Sequence, residues 1–139
     1  MLPRAINFKT MSLPFIFFII IVHWIGDFVL QSEQEAMNKS HNIFWLLRHT
    51  FRYTIFWEIA LLVLIVINFH HPFFVYIPWS FTKFLAITFI CHTITDYYTS
   101  KLNKKLWEQK RVHDFFVMVG FDQLLHYIQL FLTFKYIFL

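Results

Sequence analysis

Apolar residues dominate four stretches of this chain, and polar residues gather in the gaps between them. The stretches cover about residues 13–31, 43–69, 79–100 and 115–138, each close to or above the roughly 20 helical residues that cross a 30 Å hydrocarbon layer at about 1.5 Å rise per residue. Pro14 falls in the first turn of the first stretch, where a missing amide donor is harmless. Pro72 and Pro78 bracket the connection between the second and the third. No Gly/Ser linker or low-complexity tract divides the stretches. The pattern therefore predicts an all-α fold: one domain, residues 1–139, in which four transmembrane helices form a polytopic bundle.

Composition supports the membrane reading. The chain has 139 residues, is 58% apolar and 22% aromatic, and contains only 2 glycines, which is too hydrophobic for an ordinary soluble domain. No small-residue cleavage site follows the first apolar run, so it is expected to span rather than to be removed. Cys91 is the single cysteine, so an intrachain disulfide and a thiolate-rich metal site are both excluded. The net charge of +4 is expected to reflect topology and contact with anionic lipid headgroups, and no nucleic-acid partner is expected.

The basic residues also orient the bundle. Lys39, Arg48, Arg52, Lys101, Lys104, Lys105, Lys110 and Arg111 lie in or beside the first and third connections, and only Arg4, Lys9, Lys83 and Lys135 lie on the other side. By the positive-inside rule those two connections face the cytoplasm and both termini face outward, in a bacterial inner or plasma membrane. Trp24, Trp45, Trp79 and Trp107 near the span ends suit interfacial anchoring.

Ionisable residues recur inside the apolar stretches at one spacing. "HWIGD", His23 to Asp27, sits near the inner end of the first span, and "HTITD", His92 to Asp96, near the inner end of the third. The fourth span carries the reversed pair in "DQLLH", Asp122 to His126, and the second carries His49 close to its start. Residues i and i+4 share a helix face, so each pair can aim at one point. Counted in helical rise, all seven side chains reach a common depth in the inner half of the membrane. Each uncompensated ionisable group in hydrocarbon costs about 2.5–3.5 kcal/mol, so this convergence predicts a metal site made by His23, Asp27, His49, His92, Asp96, Asp122 and His126. His and Asp without Cys suit Zn first, and also Mn, Fe or Mg, at one or two ions. The bland alternative for any one pair is a hydrogen-bonded contact between helices. The two HxxxD hairpins, each returning with a His, also suggest a parallel internal repeat.

Around this cage the expectations are less specific. Arg52, three residues after His49, would hold an anionic group of a substrate or snorkel to headgroups. Gln31 and Gln123 are candidate hydrogen-bond donors to the ligands, and Lys39, Ser40 and His41 form a loop that either caps the site or is simply solvated. Glu58 lies about half a turn around from His49 and roughly 13 Å deeper, so it is expected to pair with another buried polar group or to face an oligomer interface. His70 and His71 are read as exposed loop residues. His113 and Asp114 begin the fourth span, where an acidic residue favours the helix N-terminus.

"HWIGDFVLQ", "NKS" followed by His49, "HTITDYY" and "DQLLHY" together resemble a small bacterial and phage-associated membrane family known as domain of unknown function 3307. The resemblance covers about residues 22–127 and brings no established activity. The chain is also distantly similar to small membrane proteins described as metal-dependent hydrolases, which share HxxxD motifs within spans. The mixture of neutral and anionic ligands near one membrane face, with that similarity beside it as analogy, leads to the first functional expectation: a metal-dependent hydrolase acting at the cytoplasmic face on a lipid-linked or phosphorylated substrate, with Asp122, left uncommitted to the metal, as general base and Arg52 on the substrate's anionic group. The competing expectation is a non-enzymatic, metal-stabilised module that senses or carries a cation or recruits a partner through "KLNKKLWEQKR". Membrane lipids are the expected surroundings in either case, with a homo-oligomer as a further option.

Overall fold

The structure, a computed structural model, describes residues 12–67 and 77–138. They form helices and turns and, among the described residues, no strand. Helix α1 is Leu13–Trp24 and passes directly into a π-helical turn, Ile25–Val29. A short helix α2, Glu33–Asn38, leads to α3, Ile43–Ile67; α4 is Ile77–Glu108 and α5 is Val112–Phe138. Helix α4 packs along α3 and α5, and α1 with its π turn lies against α3.

One inward stripe per helix explains the packing. On α3 it is His49, Tyr53, Trp57 and Leu61, four residues apart and all buried. On α4 it runs Phe84, Thr88, His92, Asp96, Thr99, and on α5 Asp122, His126, Leu130 and Phe134. On α1 it runs Phe15, Ile19, His23 and, across the π turn, Asp27. Polar residues stand late in the stripes of α1 and α4 and early in those of α3 and α5, so neighbouring helices are antiparallel and the polar residues meet at one end. The other end is an aromatic plug: Phe134 meets Phe15 edge-on at 5.1 Å and Phe84 at 4.6 Å, and Trp57 lies edge-on to Phe84 at 5.6 Å. The opposite faces carry exposed Phe17, Ile21, Phe28, Phe44, Phe51, Ile59, Val66, Phe116, Phe121 and Leu132.

The expected element boundaries need three revisions. The third stretch does not end near residue 100: α4 continues to Glu108, because 101–108 holds good helix formers and neither Gly nor Pro. It stops where Lys110 takes a left-handed conformation, with Lys110 N–H on the Trp107 carbonyl and Arg111 N–H on the Leu106 carbonyl. The first connection, expected as a loop, contains α2. Its start is fixed by a reciprocal cap in which Ser32 Oγ accepts from the Glu35 amide and Glu35 Oε2 accepts from the Ser32 amide. Third, α3 and α5 are the described helices both long and apolar enough to cross a membrane, while α1 with its turn is a shorter apolar helix, Leu13–Val29. His70 and His71 lie outside the described residues.

Candidate metal centre

The π turn sets Asp27 in place. Its extra backbone residue is closed by the Leu30 N–H on the Ile25 carbonyl, a feature found often at functional sites. Gly26 within it lets α1 approach α3 closely: a Cβ there would stand 3.0 Å from a Tyr53 ring carbon and 3.1 Å from a Phe56 ring carbon. Gln31 lies between the turn and α2, and with its side-chain amide turned so that both groups are satisfied its nitrogen donates to the Asp27 carbonyl and its oxygen accepts from the Ala36 N–H.

Four side chains from three elements then converge, namely Asp27 from the π turn, His49 from α3, and His92 and Asp96 from α4. His49 Nε2 lies 3.0 Å from Asp27 Oδ1 and 3.3 Å from both Asp96 Oδ2 and His92 Nε2. His92 Nε2 lies 3.4 Å from Asp27 Oδ1 and 3.8 Å from Asp96 Oδ2. A tetrahedral ion with ligand bonds of about 2.0–2.1 Å needs its ligand atoms about 3.3 Å apart. The five separations bracket that edge length. Two imidazole nitrogens facing each other at 3.3 Å can share at most one proton, whereas both lone pairs can serve one cation. The ring of Tyr53 stacks on His92 at 4.0 Å and fixes its orientation.

A second group adjoins the first. One ligand atom each from Asp27, Asp122 and His126 lies within 4.8 Å of the others. His126 Nε2 is 3.2 Å from Asp96 Oδ1 and 3.5 Å from Asp122 Oδ1. The carboxylates are oriented by neutral donors: Gln123 Nε2 donates to Asp27 Oδ2 at 2.9 Å and to Asp122 Oδ2 at 3.1 Å, and Thr99 Oγ1 donates to Asp122 Oδ1 at 2.6 Å.

Charge decides what the cluster lacks. Lys39, just after α2, is the cation that reaches it, with Nζ 2.8 Å from Asp96 Oδ2. Burial works against the Lys39 ammonium, but the Asp96 and Asp27 carboxylates outweigh it and hold its pKa above the ordinary lysine value. With the imidazoles neutral, as lone-pair donors to an ion must be, three carboxylates against one ammonium leave two negative charges in a region where the His and Asp side chains of the cluster are at most 9% exposed. Unpaired buried charge costs several kcal/mol per ion. One divalent cation removes the deficit, and in its absence protons on two of the imidazoles do the same.

Six of the seven expected ligands therefore fall into the two groups. His23 stands beside them with both ring nitrogens taken, Nδ1 by Tyr53 Oη at 2.7 Å and Nε2 by Gln123 Oε1 at 2.8 Å. Arg52 is not brought to the cluster. Its guanidinium is committed to Glu35, a fully buried carboxylate, and to the Leu30 carbonyl, with Arg48 Nε also 3.5 Å from Glu35. Glu58 is exposed on α3, and Asp114 pairs with Arg111 at 2.7 Å in the first turn of α5. Two contributors, Tyr53 and Thr99, escaped the sequence reading, while Lys39 belongs to the loop expected either to cap the site or to be solvated, and it reaches Asp96. Tyr53 and Thr99 were findable, being one turn from His49 and Asp96 on the same faces.

The chain matches the family described as "Protein of unknown function (DUF3307)" over residues 15–139. No curated protein and no solved structure matches it. The chain belongs to that family.

Proposed function

We propose that this family member is a membrane-embedded metal-binding protein that acts as a metal-dependent hydrolase at the cytoplasmic face, on a lipid-linked or phosphorylated substrate. The single observation that carries the reading is the meeting of Asp27, His49, His92 and Asp96 at near-tetrahedral separations. Their donor set, two imidazoles and two carboxylates, fits Zn best and accepts Mn, Fe or Mg. A bound ion polarises the scissile group and makes water a better nucleophile.

The chain's own residues do the rest. Asp122 is the most exposed member of the cluster and lies outside the four-ligand set, so it is placed to take a proton from the attacking water. The water oxygen bonds to the electrophilic centre, the bond to the leaving group breaks, and the proton passes on to the leaving group. Lys39 replaces Arg52 as the side chain that meets the substrate's anionic group.

Four spans remain the proposed topology, with both termini outside and the α2 and α4–α5 connections in the cytoplasm. The outward rows of exposed Phe, Ile, Leu and Val on the helices support it, because a soluble surface rarely carries so much contiguous apolar area. The paired contacts within each hairpin, Asp27 to His49 at 3.0 Å and Asp96 to His126 at 3.2 Å, support a parallel repeat. Glu58, exposed in an apolar stretch, fits a homo-oligomer contact.

The second reading is a metal-stabilised module without turnover. The burial of His49, His92, Asp27 and Asp96, each at most 3% exposed, favours it. Detergent-purified, metal-loaded protein assayed against phosphate, ester and amide lipid panels separates the two. The hydrolase reading expects turnover that Asp122→Asn reduces by about 10²-fold or more. Bound metal with no turnover on any panel leaves the stabilised module.

A further inference from the structure

We infer that the cluster holds a second divalent ion, between His126 and Asp122 of α5 and the carboxylates of Asp27 and Asp96, and that the two-ion centre receives a phosphate dianion. The inference rests on the metal-binding reading above and deepens it. Its starting point is that Asp96 faces two ways and that Asp27 belongs to both groups. Asp96 directs Oδ2 to His49 and His92 and Oδ1 to His126, 3.3 Å, 3.8 Å and 3.2 Å away respectively. Asp27 directs Oδ1 to His49 and His92 and also belongs to the group with Asp122 and His126. A carboxylate using one oxygen on each side is the bridge that holds two ions about 3.5–4 Å apart.

The α5 residues are positioned as terminal ligands of that second ion. His126 Nδ1 has no hydrogen-bond partner among the described residues, so the polar capacity of this buried ring is spent through Nε2, on the carboxylates. Thr99 and Gln123 fix the plane of the Asp122 carboxylate, and the same Gln123 amide spans to Asp27. This is how ligand orientation is secured at metal centres. Terminal binding through one oxygen leaves the carboxylate able to take a proton, so the role of Asp122 in hydrolysis is kept.

Charge names the substrate class. One divalent ion neutralises three carboxylates and Lys39; a second leaves two positive charges, which a phosphate monoester dianion cancels. A neutral ester or amide would leave them buried and unpaired. Lys39, on Asp96 at 2.8 Å, stands where it can hold a third phosphate oxygen. The dianion can be a lipid phosphate or a soluble phosphate ester, and both present the same group.

The test counts Mn(II) in the full-length chain in detergent by equilibrium dialysis, with and without inorganic phosphate, and records the electron paramagnetic resonance spectrum of each sample. Two ions per chain are expected, with the second bound at least tenfold more tightly when phosphate is present, and with the spectrum of a coupled pair. His126→Ala and the isosteric Asp122→Asn should each keep one ion, uncoupled, with unchanged helical circular dichroism. One ion per chain with or without phosphate, or two ions in Asp122→Asn, overturns the second site and leaves the first standing. No bound ion at all overturns the metal reading itself. Phosphate release from phosphatidate vesicles but not from p-nitrophenyl phosphate identifies a lipid substrate, the reverse a soluble one, and release from neither overturns the phosphate assignment.

Discussion

Gly26 shows how little room the centre has. A methyl at this position meets Tyr53, whose ring is held by its bond to His23 and by stacking on His92 and so cannot give way freely. Gly26→Ala is therefore expected to lose about 1–3 kcal/mol of stability and to weaken metal binding, since it displaces the ring that orients a ligand. Thermal unfolding and a metal titration of the variant check both. For Lys39→Met the expected outcome is different: metal content unchanged, and KM for a phosphorylated substrate raised roughly tenfold with little change in kcat, as for a lost charge-assisted contact of about 1.4 kcal/mol. A loss of metal in that variant would make Lys39 a structural part of the cage. At this scale the sequence was informative wherever helical spacing alone sets direction. His92 and Asp96 share a face, and so do Asp122 and His126. The limit of that logic is His23, which is as far from Asp27 as His92 is from Asp96, 3.8 Å in each pair. What takes His23 out of the ligand groups is a tyrosine on α3 and a glutamine on α5, and no periodicity along one helix reports a partner on another.

Between the helices, two local features carry their own tests. The end of α4 forces Lys110 to φ 57°, a conformation that costs a side chain with a Cβ about 1–2 kcal/mol and costs glycine almost nothing. Lys110→Gly should accordingly raise stability by about 1 kcal/mol, read as a higher midpoint of thermal unfolding; a lowered midpoint would mean that the lysine side chain itself holds the turn. On the other connection, Glu35 is fully buried and relies on Arg52 and, at 3.5 Å, on Arg48. Arg52→Ala leaves that carboxylate with the Ser32 amide and the weaker Arg48 contact, and should cost about 2 kcal/mol while the metal count stays at the wild-type value. A variant that keeps full stability but loses substrate affinity would restore Arg52 to the substrate. The helices themselves were legible from their apolar runs, but α2 and the extension of α4 were not. Both lie in polar segments, where helix is decided by capping and by the absence of breakers rather than by an apolar stripe.

For the molecule as a whole, polarity is sorted end to end. The cluster occupies one end of the bundle and the interlocked rings of Phe15, Trp57, Phe84 and Phe134 the other, and among the described residues no charged side chain is buried between them, where Thr88, Gln129 and Thr133 form a small neutral network. That arrangement suits a site served from one face and disfavours cation transport. The proposed orientation predicts that a cysteine placed at Gln109, in a chain with Cys91→Ser, reacts with an impermeant maleimide in inverted inner-membrane vesicles and not in intact spheroplasts. Labelling from the outside would reverse the bundle. The all-α architecture and the convergence of six polar side chains were readable from spacing and depth, because a buried ionisable group needs a partner and four short-looped helices can supply one only at a shared level. The division of those residues into two groups was not readable, since it depends on which oxygen of each carboxylate faces which helix.

The most direct test of the whole account is elemental analysis of the detergent-purified protein beside His49→Ala and Asp96→Ala. The account predicts stoichiometric divalent metal in the wild type, and metal lost together with thermal stability in both variants. A wild type without stoichiometric metal, even after incubation with Zn(II) or Mn(II), and variants that fold as stably as it does would contradict it.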